Sequence, residues 1–156
     1  MTAFDTNFFL IDTTLLVYAY DNTDSAKHTI AKNLIDQCWK REVTYTISAQ
    51  NLAEFVVVVT KKIPTPLPHA VAEQIVKDIS LFSHWKVLTY NAATVLSALR
   101  LFPSPQKSFW DALLTATMLQ HGVYGIYTEN AADFQSLQQM VVVNPFATKL
   151  KKTKLI

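Results

Sequence analysis

Apolar positions along the chain recur at two spacings, and the two alternate. Phe8-Phe9-Leu10-Ile11 is a short unbroken apolar run ending at Asp12-Thr13-Thr14, after which Leu15, Leu16, Tyr18 and Ala19 follow: a strand, a carboxylate, then a helix. Asp24 offers an N-cap for a helix reaching about Arg41, with Ile30, Leu34, Ile35 and Cys38 at helical spacing. Thr44 to Ser48 alternates as a second strand. From Ser48 to Lys62 the β-branched run Val56 to Val59 favours a strand locally. The helical recurrence of Leu52, Phe55, Val56 and Val59, with Ser48 as cap, predicts a helix there. Pro64, Pro66 and Pro68 exclude a continuous helix, so Lys61 to His69 reads as a connector between two antiparallel helices. Val71, Ile75, Ile79 and Phe82 form the stripe of the second. Lys86 to Thr89 resembles a third strand, Asn91 to Leu101 a helix stopped before Pro103 and Pro105, and Ser108 to His121 a helix ended by Gly122. Ser108 and Asp111 have the spacing of a capping box. Gly125 to Thr128 and Val141 to Val143 supply two final strands.

Strands separated by helices predict an α/β fold, a three-layer α/β/α sandwich around a mainly parallel sheet of roughly five strands. Ligands of such sheets gather beyond the carboxyl ends of the strands. No repeat, low-complexity segment or linker divides the chain, so one domain over 1–147 is expected, followed by a basic tail at 148–156.

Composition narrows the class. A chain of 156 residues, half of them apolar, buries roughly two-thirds of its unfolded surface in a single core and lies far from the disordered class. One cysteine, Cys38, forms no internal disulfide, and no cationic and apolar leader is evident, so the cytoplasm is expected. No stretch approaches the ~20 apolar residues of a membrane span. The formal charge of +2 becomes −2 without Lys149, Lys151, Lys152 and Lys154 of the tail. A broad basic face for nucleic acid is therefore absent, and any such contact must be local, metal-bridged or assisted by the tail. His28, His69, His84 and His121 lack paired ligand spacing, and two glycines cannot build a phosphate loop. Trp39, Trp85 and Trp110 are read as core rather than as base-stacking platforms.

Three acids stand in unusual places. Asp12 interrupts an apolar segment where the first strand ends, and a carboxylate there requires hydrogen bonds, a cation or a proton. Taken alone it also suits a helix cap. Glu54 sits among apolar neighbours in Gln50-Asn51-Leu52-Ala53-Glu54-Phe55, and alone reads equally as a solvated helix position. Asp111 falls in a first helical turn, where a carboxylate answers the helix dipole. Together their contexts match one family. Ile11-Asp12-Thr13-Thr14-Leu15-Leu16-Val17-Tyr18-Ala19-Tyr20-Asp21, the Gln50 to Phe55 string and Ser108-Phe109-Trp110-Asp111-Ala112-Leu113 resemble, in order, the three opening motifs of PIN domains, and among these the VapC-type toxin ribonucleases.

The resemblance implies a metal-dependent endoribonuclease that is the toxin of a toxin–antitoxin pair: homodimeric, inhibited by a small antitoxin, with RNA as substrate. It implies that Asp12, Glu54 and Asp111 are catalytic and hold Mg²⁺ or Mn²⁺, with Thr13, Thr14, Thr128, Asn130 and Asp133 as supporting polar groups. Many relatives end a strand in Thr, any residue, then Asp; Thr128-Glu129-Asn130 departs from this, and Glu129 is expected as the fourth metal ligand, ahead of Asp133. Two carboxylates about 4 Å apart repel by roughly 4 kcal/mol at an effective dielectric of about 20, which an oxygen-preferring divalent cation relieves. Two other functions stay open at this point: a housekeeping PIN nuclease of RNA processing, and a catalytically silent binding module.

Overall fold

The computed structural model describes residues 8–101, 108–135, 137 and 139–147. The expected basic tail at 148–156 lies outside them. Five strands, β1 (Phe9–Ile11), β2 (Tyr45–Ser48), β3 (Trp85–Leu88), β4 (Gly125–Tyr127) and β5 (Val141–Val143), form one parallel sheet in the order β3-β2-β1-β4-β5. The helices are α1 (Thr13–Tyr20), α2 (Ser25–Trp39), α3 (Ala49–Lys61), α4 (His69–Leu81), α5 (Ala92–Leu101), α6 (Phe109–Gln120) and α7 (Ala131–Phe134).

Strand periodicity divides the core into two faces. Ile11, Tyr45, Ile47 and Trp85 join Leu15, Leu16, Ile35, Phe55, Val59 and Ile79 of α1 to α4. Leu10, Leu88 and Ile126 point the other way, onto Leu114 and Met118 of α6 and Phe134 of α7. Ala98 of α5 packs with Ala112, Leu113 and Ala116 of α6. This is the expected three-layer sandwich. No described helix is long and apolar enough to cross a membrane.

Local signals act as expected, with two exceptions. Asp24 caps α2 by accepting from the Lys27 N–H at 3.0 Å, and the glycine after α6, Gly122, adopts a left-handed φ of 68°. The helical stripe of α3 prevails over its β-branched run because Ser48 and Asn51 form a reciprocal capping box. Ser108, by contrast, makes no side-chain cap bond, so the box expected with Asp111 is not formed. Trp110 is the second exception: Trp85 is buried and Trp39 is packed against the core, but Trp110 is 57% exposed.

The chain builds β1, β2 and β3 outward in one direction, then returns to set β4 on the opposite side of β1. The carboxyl end of β1 is thus where strand order reverses, the usual location of a ligand crevice in an open parallel sheet.

Candidate active site

Asp12 follows β1 directly. Its backbone N–H still donates to the Tyr127 carbonyl at 3.1 Å, while its own carbonyl accepts the first bonds of α1 from Leu15 and Leu16. The side chain is fixed on both oxygens: Oδ1 accepts from the Thr13 N–H at 2.8 Å, and Oδ2 from Thr128 Oγ1 at 2.7 Å. Burial pushes its pKa above the ordinary carboxylate range; the bonds from Thr128 and Thr13 oppose that rise, and the charges of Glu54 and Asp133 add to it. Asp12 is therefore both the cap and a member of an acidic cluster.

Glu54 is delivered by α3, whose start is set by buried Ser48 at the end of β2. A directional chain of bonds leads to it. Ser48 Oγ donates to Asn51 Oδ1 at 2.7 Å, Asn51 Nδ2 donates to Thr13 Oγ1 at 3.0 Å, and Thr13 Oγ1 donates to Glu54 Oε2 at 2.8 Å. Gln50, one helical turn before Glu54, donates from Nε2 both to Glu54 Oε1 at 3.0 Å and to the Trp110 carbonyl at 3.1 Å. Gln50 and Asn51 were not singled out by sequence reasoning. Their positions four and three residues before Glu54 on one helix are the signal that could have found them.

Asp111 enters from the first turn of α6. Burial, and then the charges of Asp133, Asp12 and Glu54, raise its pKa from 3.8 to about 6. Asp12, Thr13, Thr14, Gln50, Glu54, Asp111 and Asn130 all line one cleft of about 650 Å³, together with Val57, Lys62, Tyr90 and Trp110. Thr128 reaches Asp12 from beneath, and the Asn130 N–H in turn donates to Thr128 Oγ1 at 3.1 Å.

Glu129 does not join this cleft. It forms an ion pair with Lys27 and accepts from the Tyr18 hydroxyl at 3.2 Å, while Lys27 Nζ lies 5.0 Å from the Tyr18 ring centroid and 5.6 Å from that of Phe146. Asp133, on α7, is the fourth carboxylate whose charge reaches Asp12 and Asp111. Its helix of four residues is too short to leave a periodic trace in the sequence.

Among the described residues no three His, Cys, Asp or Glu side chains already stand in metal-holding geometry. The donor set nevertheless fits a hard divalent cation: it is all oxygen, and both Asp12 and Asp111 are driven toward protonation by burial and by neighbouring negative charge. A cation entering the cleft would relieve both effects, with Asp12, Glu54 and Asp111 as its ligands.

No curated protein matches the chain. Among solved structures, the toxin VapC20 of Mycobacterium tuberculosis, described as cleaving the sarcin-ricin loop, is similar at 19% identity over 82% of this chain and 94% of its own, with a TM-score of 0.63. A toxin–antitoxin complex from Klebsiella pneumoniae is similar at 19% identity over 90% of this chain and 99% of its own, TM-score 0.61. VapBC2 of Rickettsia felis, bound to a promoter DNA fragment, matches at 18% identity over 88% and 98%, TM-score 0.55. These likenesses are of fold. The sequence profile of the PIN domain matches residues 9–137, from β1 to just beyond α7 and so through every element that lines the acidic cleft, and the chain belongs to the PIN-domain family.

Proposed function

We propose that this chain is a divalent-metal-dependent endoribonuclease, the toxin of a toxin–antitoxin pair, in which Asp12, Glu54 and Asp111 are the catalytic, metal-holding carboxylates. The observation that carries the reading is their convergence on one cleft from β1, α3 and α6, with Asp12 and Asp111 both pushed toward protonation by burial and by neighbouring carboxylates, Glu54 and Asp133 among them. The fold likeness to a toxin described as cleaving the sarcin-ricin loop supports RNA as the substrate, and the two complexes support a toxin-type role. Asp133 takes the place of Glu129 as the fourth acid, because Glu129 is paired with Lys27.

Mg²⁺ or Mn²⁺, when bound, supplies positive charge to a phosphate oxygen and makes an attacking water easier to deprotonate. The protein's own groups hold the rest in place. The Thr13 N–H and Thr128 hydroxyl orient the Asp12 carboxylate, and the Thr13 hydroxyl and Gln50 amide orient that of Glu54. Such orienting partners matter for metal sites roughly as much as the ligands' own geometry. Incubation of purified protein with total RNA tests the reading. Cleavage that requires Mg²⁺ or Mn²⁺, stops with chelator and is lost in Asp12→Asn is expected; chelator-resistant cleavage, or none under any metal, would overturn it.

A further inference from the structure

We propose that Trp110 is a nucleobase-stacking platform at the lip of the acidic cleft, with Gln50 as the strut that ties its position to Glu54. The proposal rests on the nuclease reading for its substrate and adds to it the group that grips the nucleotide beside the reacting phosphate.

Trp110 precedes Asp111 on the first turn of α6, and consecutive helical residues point about 100° apart, so the indole and the carboxylate bracket the same opening. The indole is 57% exposed although it lines the cleft, and the Phe109 ring braces it edge-on, centroids 6.1 Å apart at 66°. Tyr90, 41% exposed, and Lys62 line the cleft as well. A large aromatic face left in water beside convergent polar groups is characteristic of a ligand site. Every base has a π-face to stack on it, and Lys62 supplies local positive charge for a phosphate in a cleft whose other charged lining groups are the carboxylates Asp12, Glu54 and Asp111.

The wall beneath carries a second, independent sign of a polar ligand. Gln50 is only 7% exposed, and its Nε2 faces two acceptors, Glu54 Oε1 and the Trp110 carbonyl, which fixes the amide orientation and turns Oε1 the other way. That oxygen finds no donor among the described residues, and neither does Thr14 Oγ1 on the same cleft. Unsatisfied buried oxygens of this kind are costly, and a small turn of either side chain toward the cleft on substrate entry would recover a bond from a sugar hydroxyl or base amino group.

The test compares AMP with ribose 5-phosphate in the presence of Mn²⁺, by calorimetry and by tryptophan fluorescence. Neither molecule has an internucleotide bond, so the measurement does not depend on cleavage. AMP is expected to bind more tightly and to quench the exposed indole, and Trp110→Ala to weaken AMP by between about 5- and 150-fold, the range of one stacked base, while leaving ribose 5-phosphate unchanged. Trp110→Phe should recover much of the loss. Equal binding of the two probes, or AMP binding untouched by Trp110→Ala, would overturn the stacking role and leave the nuclease reading standing. Base-dependent binding in a protein that cleaves no RNA would support the platform and sink the nuclease. Loss of a dimer in Trp110→Ala, with AMP binding unaltered, would mark the lip as a self-association surface and overturn the proposal.

Discussion

At the scale of single residues, burial and negative charge both push Asp12 and Asp111 toward protonation, and the bonds to Asp12 from Thr128 and Thr13 oppose them. Residues that merely orient a metal ligand typically contribute about 10- to 100-fold to metal affinity. Thr128→Val, which removes the 2.7 Å bond to Asp12 while preserving shape, should weaken Mn²⁺ binding within that range by calorimetry. Asp111→Asn deletes a ligand charge and should lower cleavage more than about 100-fold with an unchanged circular dichroism spectrum; near-native turnover would remove Asp111 from the catalytic set. The same aspartate sets a pH signature. Its folded pKa of about 6 lies above the ordinary 3.8, so the metal-free folded state holds that proton more tightly than the unfolded chain. Its stabilising contribution is complete below about 3.8 and is lost as pH rises through about 6, and the raised pKa of Asp12 acts in the same direction. The melting temperature of metal-free protein should therefore decline over that interval relative to Asp111→Asn, and saturating Mn²⁺ at neutral pH should reverse the difference. Parallel curves for the two proteins would refute the assignment. Asp12, Glu54 and Asp111 were legible because each sits in a recognisable local context. The order of Glu129 ahead of Asp133 rests on nearness to the strand end alone, and the direction Glu129 takes is decided by Lys27, far away in sequence.

At the scale of elements, periodicity identified nearly every strand and helix, since each has one face to bury, and α2 and α3 have a side-chain cap to start them as well. What escaped was either short or decided by tertiary contact: α7 has four residues, and the exposure of Trp110 depends on where α6 sits against the cleft. The fit of β1 to β4 is tight enough to test. Phe9 and Gly125 face each other in register, and a Cβ on Gly125 would come within 2.9 Å of the Phe9 ring, itself stacked at 4.6 Å on Tyr127. Gly125→Ala should cost about 1–3 kcal/mol in denaturant unfolding, and because this pair supports Asp12, metal affinity should fall with it. Unchanged stability would show that the ring has room to move. The capping box at the start of α3 predicts a smaller loss of about 1 kcal/mol for Ser48→Ala.

At the scale of the whole molecule, the expectation of partners has a physical footing in the α3–α4 pair. Ile63 is buried and Leu67 packs on the core, whereas Val57 and Val71 remain exposed. If these outward positions form the dimer or antitoxin surface, Val57→Glu with Val71→Glu should leave a folded protein whose mass by light scattering is that of a monomer, or which no longer co-purifies with a co-expressed antitoxin. An unaltered mass and partner would move the contact elsewhere. The reversal of strand order at β1 has a further consequence, for synthesis. The acids that line the cleft are spread from position 12 to position 111, and the strand whose end carries Thr128 to Asp12, β4, arrives late and docks on the central strand made first. A ribosome-bound chain that has emerged only as far as Leu101 contains β1, β2 and β3 yet lacks Asp111, Thr128 and Asp133. Under the proposed nuclease reading, incomplete copies therefore carry no assembled acidic cleft, and chains truncated after Leu101 should cleave no RNA in Mn²⁺ under conditions where the full chain does.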